Sequence, residues 1–225
     1  MRCGKRLTTF IDAITGFVPT SAGSAIFNGS DLSQMKPHER AQLGLVRTFQ
    51  SLELFEDLSV RDNLLVAAHP TSWYTLLLDV LRIGQSNDEI EKRIEWALEV
   101  AGLTGLEEEL PTDLPHGQRK LVGVARALAA QPRLLVCDEP TSALDVSIQA
   151  QILNLLKDLQ EQLNLTILFI SHDLPVVRQM CDRIGVLKDG KLCEVSNTEE
   201  LFLKPQHDYT KKLLHLMPKI ESIYN

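Results

Sequence analysis

The sequence of 225 residues predicts an α/β fold built on a largely parallel β-sheet. Two apolar runs, at residues 134–137 and 165–170, have the length and composition of strands that are buried on both faces, as strands of parallel sheets are. Residues 148–163, between them, predict a helix. Strand, helix and strand in this order form the unit that connects parallel strands.

The amino-terminal part predicts shorter elements. Residues 8–15 are predicted to form a helix that Gly16 ends. A short strand and turn are expected at residues 24–29, and a short helix between Pro37 and Gly44. Residues 45–49 predict a further strand, which leads to Gln50.

Residues 54–128 are predicted to be mainly helical, and the chain after residue 170 predicts a hairpin and a tail. Apolar residues recur at helical spacing along residues 90–101, with charged residues between them. Asp189-Gly190 predicts the turn of a β-hairpin over residues 186–195. Asn197-Thr198-Glu199-Glu200 is typical of a helix start, and residues 209–216 predict a last short helix.

Composition excludes several classes of protein. The net charge of −7 and the pI of about 5.4 argue against an electrostatic binder of nucleic acid. No apolar run reaches the roughly 18 residues of a membrane-spanning helix, and no apolar signal-peptide segment follows the basic start. The four cysteines have neither zinc nor redox spacing, so we expect the cytoplasm as the compartment.

Two carboxylates, Asp138 and Glu139, come directly after the predicted strand at residues 134–137, and Pro140 ends that strand. Open α/β sheets bind ligands at this edge. Asp138 is a candidate ligand of Mg²⁺, directly or through water, and Glu139 is a candidate for orienting and deprotonating a water that attacks a γ-phosphate. The alternative is an acidic turn after a core strand.

Four segments together resemble the ATPases of ATP-binding cassette (ABC) transporters, over residues 8–218. Residues 134–145 resemble the Walker B segment and D-loop of that family. The other segments are Leu114-Pro115-His116-Gly117-Gln118-Arg119-Lys120, which resembles the ABC signature, Phe49-Gln50, which resembles the Q-loop, and Ser171-His172-Asp173, which resembles the switch-histidine segment. The resemblance implies a P-loop NTPase-like fold in one domain over residues 1–225, with an inserted helical lobe at 54–128 and a helical tail at 197–225.

The P-loop of that family is not intact in this sequence. A P-loop needs a buried strand, a glycine loop and Gly-Lys-Ser/Thr at a helix start, but Arg6-Leu7 separate Gly4-Lys5 from Thr8-Thr9. Alignment on the helix places Leu7 in the lysine position and Thr8 in the Mg²⁺-ligand position, whereas alignment on Gly4-Lys5 requires a two-residue insertion. We therefore expect the N-terminal strands of the fold to be missing and Gly4, Lys5, Thr8 and Thr9 to be a partial nucleotide site.

The resemblance also implies roles for the other motif residues. Gln50 would bind Mg²⁺ and the attacking water, and His172 would hydrogen-bond the γ-phosphate, although each is also plausible as a polar residue at a strand end. Leu114 to Gln118 would present a helix N-terminus to a phosphate held by a second subunit. Ser142 and Asp145 would couple the two sites across the dimer interface.

The implied function is that of an ATP- and Mg²⁺-dependent ATPase subunit of an importer for amino acids or peptides, at the cytoplasmic face of the cell membrane. Its partners would be a second ABC ATPase subunit, identical or different, and transmembrane permease subunits, with no nucleic acid. Residues 8–130 resemble branched-chain amino-acid importer ATPases, and residues 134–217 resemble oligopeptide importer ATPases. Two alternatives stay open: a truncated or hybrid cassette without turnover, and a soluble ABC ATPase.

Overall fold

The structure, a computed structural model, describes residues 3–48, 53–68, 87–142 and 144–217, with only the backbone at residues 3–7 and 87. The chain divides into two compact units. The larger, called here the sheet unit, is Ile14–Ile170, and the smaller, called the tail unit, combines Met1–Ala13 with Ser171–Asn225.

The described helices and strands include those predicted, together with a strand at Ser30–Asp31 and a helix at Leu174–Met180 that were not predicted. They are α1 Cys3–Thr15, β1 Ile26–Phe27, β2 Ser30–Asp31, α2 Pro37–Gln42, β3 Leu45–Thr48, α3 Val60–Ala68, α4 Asn87–Val100, α5 His116–Ala129, β4 Leu134–Asp138, α6 Val146–Leu163, β5 Thr166–Ile170, α7 Leu174–Met180, β6 Arg183–Lys188, β7 Lys191–Asn197, α8 Thr198–Leu203 and α9 Asp208–His215. Within the described ranges, none of these helices combines the length and apolar character needed to cross a membrane.

A parallel sheet of three described strands, in the order β3-β4-β5, lies at the core of the sheet unit. The central strand β4 is the most deeply buried, since Leu135, Val136 and Cys137 are 0% exposed. Burial raises the pKa of the Cys137 thiol to about 12, as expected for a cysteine that packs as a small apolar side chain. The prediction of an α/β fold with a parallel sheet is confirmed.

Gly44 fixes the position at which β3 and β4 begin side by side. Its φ of 94° is in the left-handed region, and its carbonyl accepts hydrogen bonds from the backbone N–H groups of Arg133 at 2.8 Å and Leu134 at 3.0 Å. A Cβ at Gly44 would lie 2.9 Å from Cγ of Arg133. Any side chain here would therefore strain the backbone and separate the two strand starts.

The predicted helical region contains α3, α4 and α5, which pack on one another in the sheet unit. The apolar stripe predicted for residues 90–101 is buried, at Ile90, Ile94, Ala97, Leu98 and Ala101. Residues 69–86 lie outside the described part of the chain. The helices expected within residues 54–128 are present at α3, α4 and α5, whereas residues 101–115 form mostly turns, and the inserted helical lobe stays a prediction.

The tail unit contains the predicted hairpin. Strands β6 and β7 pair antiparallel, and the turn residues Asp189 and Gly190 have φ values of 52° and 79°, as the favoured hairpin turn requires. Helix α1, however, begins at Cys3 rather than at Thr8. The extension is physically cheap, because Lys5, Arg6 and Leu7 are good helix formers and one glycine costs only about 1 kcal/mol.

Candidate active site

Asp138 is a buried carboxylate at the carboxyl end of β4, with 5% of the residue exposed. Arg47 of β3 donates a hydrogen bond from Nη2 to its Oδ2 at 2.9 Å. The parallel register sets Arg47 opposite Val136, two residues before Asp138, so both side chains point to the same face of the sheet. The predicted metal ligand is thus already paired with a fixed cation.

Glu139 begins a tight turn that connects β4 to the following loop. Its φ of 49° is uncommon for a residue with a side chain. The Glu139 N–H donates to the Ile170 carbonyl at 2.9 Å, and the Glu139 carbonyl accepts from the Ser142 N–H at 3.1 Å. These two bonds hold the strained backbone in place, a feature that clusters at functional sites.

The segment predicted to act as the signature forms the start of α5. Pro115 is the N-cap residue and provides no side-chain cap, so the first N–H groups of the helix are left for another acceptor. Leu114 and Gly117 are buried, Gln118 is half-buried, and Pro115 and His116 are exposed. A Cβ at Gly117 would lie 2.8 Å from Cγ2 of Ile148. Glycine therefore allows the N-terminal turns of α5 and α6 to touch.

The two D-loop candidates both make hydrogen bonds inside the sheet unit. Asp145 caps α6 by accepting from the Ile148 N–H at 2.9 Å. Ser142 accepts from the Lys120 ammonium group, at its carbonyl (2.6 Å) and its hydroxyl (3.3 Å). The predicted role of Ser142 and Asp145 across a dimer interface stays a prediction.

Sequence reasoning assigned no role to Arg47 or Lys120, although Lys120 is the last residue of the segment that resembles the signature. A signal for both was present, because each is a cation in a predominantly apolar pattern: Arg47 in the predicted strand at residues 45–49, Lys120 three residues after Gly117 on α5. A charge in such a place is rarely buried without a partner. The partners, Asp138 and Ser142, are 91 and 22 residues away in sequence.

The remaining predicted residues belong to the tail unit or lie outside the described residues. His172 is exposed, in a turn where Ser171 Oγ accepts from the Asp173 N–H at 3.1 Å. Gly4 and Lys5 lie in the first turn of α1, so they are part of the helix rather than of a loop before it, and Thr8 and Thr9 lie in the next turn. Phe49 and Gln50 fall outside the described residues.

Asp138 fits the chemistry of a magnesium site. Mg²⁺ is commonly held by one or two carboxylates together with phosphates of the substrate rather than by a cage of protein ligands. The described residues hold no cluster of three or more His, Cys, Asp or Glu that would form such a cage. A single buried carboxylate at a sheet edge agrees with that pattern. Arg47, which donates to Oδ2, would compete with a metal ion for that oxygen.

Comparisons with known proteins agree with one another. The sequence profile described as "ABC transporter" matches residues 3–142. The oligopeptide transport ATP-binding protein AmiF of Streptococcus pneumoniae is 42% identical over 219 residues, 96% of this chain and 68% of AmiF. The methionine import ATP-binding protein MetN of Protochlamydia amoebophila is 37% identical over 217 residues, 95% of this chain and 60% of MetN.

Two solved structures are similar to most of the chain. CbiO1 from Clostridium perfringens, described as part of the ABC transporter complex cbiONQ, superposes with a TM-score of 0.73 at 27% identity, over 95% of this chain and 80% of CbiO1. A dimeric ATP-binding cassette in a post-hydrolysis state with ADP and Pi superposes with a TM-score of 0.69 at 27% identity, over 85% of this chain and 80% of that one.

Proposed function

The chain belongs to the ABC transporter family, within the class of ABC-type ATPases, and on that premise we propose that it is the ATP-hydrolysing subunit of an importer. The observation that supports this best is the turn at Glu139, which follows the buried Asp138 and is tied to the start of α5 through Ser142. The candidate signature segment, the turn that begins at Glu139 and the candidate D-loop residue Ser142 are thus connected by hydrogen bonds within the sheet unit.

In the proposed reaction Glu139 orients a water and accepts its proton as the water attacks the γ-phosphate of ATP. Asp138 and Thr8 would hold Mg²⁺, which supplies charge stabilisation at the phosphate oxygens when bound. Gln50 would contact the attacking water, and His172 would hydrogen-bond the γ-phosphate. Gly4, Lys5 and Thr9 would contact the nucleotide of the same subunit, and Leu114 to Gln118 that of a second subunit.

We further propose peptides as the transported class. AmiF, whose name refers to oligopeptide transport, matches both halves of the chain at 42% identity, so one peptide-type relative accounts for the region before residue 131 as well. The resemblance of residues 8–130 to branched-chain amino-acid importers stays a prediction, and an amino acid such as methionine is the second candidate. The partners would be permease subunits and a second ATPase, at the cytoplasmic face of the membrane.

A second candidate is a cassette that folds but turns ATP over poorly. It is favoured by the position of Gly4-Lys5 in the first turn of α1, separated by Arg6-Leu7 from Thr8-Thr9 in the next turn. In an intact P-loop the lysine and the metal-ligating threonine are adjacent in sequence and lie in the same turn at the start of the helix. Lys5 and Thr8 are not adjacent and lie in different turns.

Calorimetry of ATP binding, with phosphate release measured on the same samples, separates the two candidates. We expect weak ATP binding by the natural sequence, because a charge-assisted phosphate contact is roughly twice as strong as a neutral one and is displaced here. Deleting Arg6 and Leu7 joins Gly4-Lys5 to Thr8-Thr9 and should increase affinity, and Lys5→Met in that deletion should abolish the gain. Micromolar affinity of the natural sequence would contradict the expectation and favour a P-loop with an insertion. Binding without phosphate release would favour the second candidate.

A further inference from the structure

Lys120 is a buried ammonium group that connects α5 to the loop after β4. Only 9% of the residue is exposed. Its Nζ donates to the Ser142 carbonyl at 2.6 Å and approaches the Ser142 hydroxyl at 3.3 Å. Burial lowers the pKa of Lys120, and the charge of Glu139 acts in the opposite direction, so Glu139 and Lys120 lie within electrostatic reach of each other.

The contact with Ser142 acts on the turn that contains Glu139. Ser142 closes this turn through its N–H, which donates to the Glu139 carbonyl. A lysine that fixes the carbonyl of Ser142 therefore restricts the turn from Glu139 to Ser142. In this turn Glu139 has its φ of 49°. Gly117, one turn earlier on α5, lies against Ile148. Helix α5 therefore contacts the chain on both sides of Asp145, at Ser142 through Lys120 and at Ile148 through Gly117.

Stability alone does not account for a lysine in this position. Removing a charge from water costs several kcal/mol unless it is paired and hydrogen-bonded, and an apolar residue would fill the same space without that cost. Lysine is, however, a long point-charge donor that can reach a carbonyl, a hydroxyl and a carboxylate at once. The arrangement suits a side chain that fixes a strained loop.

We propose that Lys120 is a positioning residue, which holds the turn from Glu139 to Ser142 in its working geometry and couples it to the N-terminus of α5. The consequence for hydrolysis rests on the proposed function. The effect on the turn does not, because it is a property of the protein without nucleotide.

Hydrogen exchange of the nucleotide-free protein tests the positioning role directly. In Lys120→Met we expect the Ser142 amide to exchange about tenfold faster, the change that corresponds to loss of one hydrogen bond to a charged group. Amides of α4 should keep their wild-type rates. Lys120→Arg keeps a charged donor and should restore much of the protection, while Lys92→Met, which removes an exposed lysine of α4, should leave the turn unchanged. If Lys120→Met shows no cooperative unfolding transition and is therefore not folded, Lys120→Gln replaces it, with the same increase in exchange expected at Ser142.

Kinetics then connect the turn to the reaction. If the protein hydrolyses ATP, Lys120→Met should lower kcat about tenfold or more with little change in KM, since loss of an oriented water-activating group acts on the chemical step. Unchanged exchange at Ser142, or an equal increase over the whole sheet unit, would overturn the proposal. Absence of hydrolysis in the wild type would overturn the proposed function and leave the exchange result to decide this one.

Discussion

Among single residues, the buried pair of Arg47 and Asp138 sets the charge at the end of β4. The exposed fractions of the two side chains are 8% and 6%. A buried ion pair is weak support for stability as a whole, but removal of one partner leaves an uncompensated charge in the protein interior. Arg47 thus fixes the position of the Asp138 carboxylate at the end of β4.

We expect Arg47→Met to lower the free energy of unfolding by about 3–5 kcal/mol, because it leaves Asp138 buried without its cation. The double variant Arg47→Met/Asp138→Asn should recover most of that loss. Urea unfolding of the wild type, both single variants and the double variant measures the coupling. Lys211→Met breaks the exposed pair with Asp208 and should change stability by less than about 1 kcal/mol. Additive losses at Arg47 and Asp138 would contradict the pairing.

We expect Glu139→Gln to abolish ATP turnover and to leave ATP binding intact. Glutamine keeps the shape of the side chain but cannot take a proton from water, a loss that usually costs about 10²–10⁴-fold. Phosphate release and calorimetry on the same preparation measure the two properties, with Glu108→Gln, an exposed glutamate elsewhere in the sheet unit, as control. Steady-state hydrolysis at the wild-type rate would show that Glu139 is not the base.

Burial of Cys137 should make stability depend on alkaline pH. The native thiol has a pKa of about 12, against an ordinary value of 9.0, so between these values the unfolded state binds fewer protons than the native state. The free energy of unfolding therefore falls as pH rises through this window and is fully retained below it. Urea unfolding at pH 8 and pH 10 should show a steeper decline for the wild type than for Cys137→Ala. Parallel declines would argue against a buried, protonated thiol.

The sequence drew attention to the candidate carboxylates of the site but not to the buried cations near them. Asp138 and Glu139 were recognisable because a charged pair directly after an apolar strand is a local pattern. Arg47 and Lys120 were not, because their importance depends on Asp138 and Ser142, which only the fold brings close. A local pattern cannot reveal which buried cation has found a partner.

At the level of elements, boundaries were predictable where a local signal sets them. The turn at Asp189-Gly190 and the Gly44 that follows α2 were visible in sequence, since each needs a backbone that few residues adopt. The start of α1 was not, because nothing in Lys5-Arg6-Leu7 opposes a helix and Thr8 looked like a natural first residue. A glycine that ends a helix is therefore easier to recognise in sequence than the first residue of a helix that has two possible starts.

Asn63, which is 0% exposed, makes several hydrogen bonds to the segment before α3. Its Nδ2 donates to the carbonyls of Phe55, Leu58 and Ser59 at 2.9–3.1 Å, and its Oδ1 accepts from the Phe55 N–H at 2.9 Å. The amide therefore pairs with backbone groups of a segment that forms neither a helix nor a strand. This segment precedes the helical region and follows the predicted position of Gln50.

We expect Asn63→Leu to lower the free energy of unfolding by about 3 kcal/mol, because each buried polar group left unpaired costs about 1–3 kcal/mol. The Phe55 amide should also lose its protection from hydrogen exchange. Asn154→Leu, at an exposed position of α6, introduces the same side chain without breaking such a network and should change stability little. If both variants lose the same stability, the network is not the cause.

At the level of the whole molecule, the two strands that were predicted alike are buried to different degrees. The central strand β4 is buried from Leu135 to Asp138, whereas residues 167–170 of β5 are only half-buried although all four are apolar. Strand order explains the difference, because β5 lies at the edge of the described sheet, with β4 on one side and no described strand on the other. An apolar edge of this kind favours association with another strand.

We therefore expect a strand supplied next to β5 to stabilise the sheet unit and to suppress aggregation. A chimaera can provide it, by fusing a designed apolar strand to this chain through a flexible linker. Since whole domains are stable by only about 5–15 kcal/mol, pairing the edge should raise the thermal midpoint by several degrees, at about 2–4 °C per kcal/mol for a chain of this size. Thermal unfolding with light scattering measures both effects, and the same fusion with its strand residues scrambled controls for added length. A soluble, cooperative, monomeric transition of the natural chain, with a midpoint no lower than that of the chimaera, would show that the edge of β5 needs no further strand.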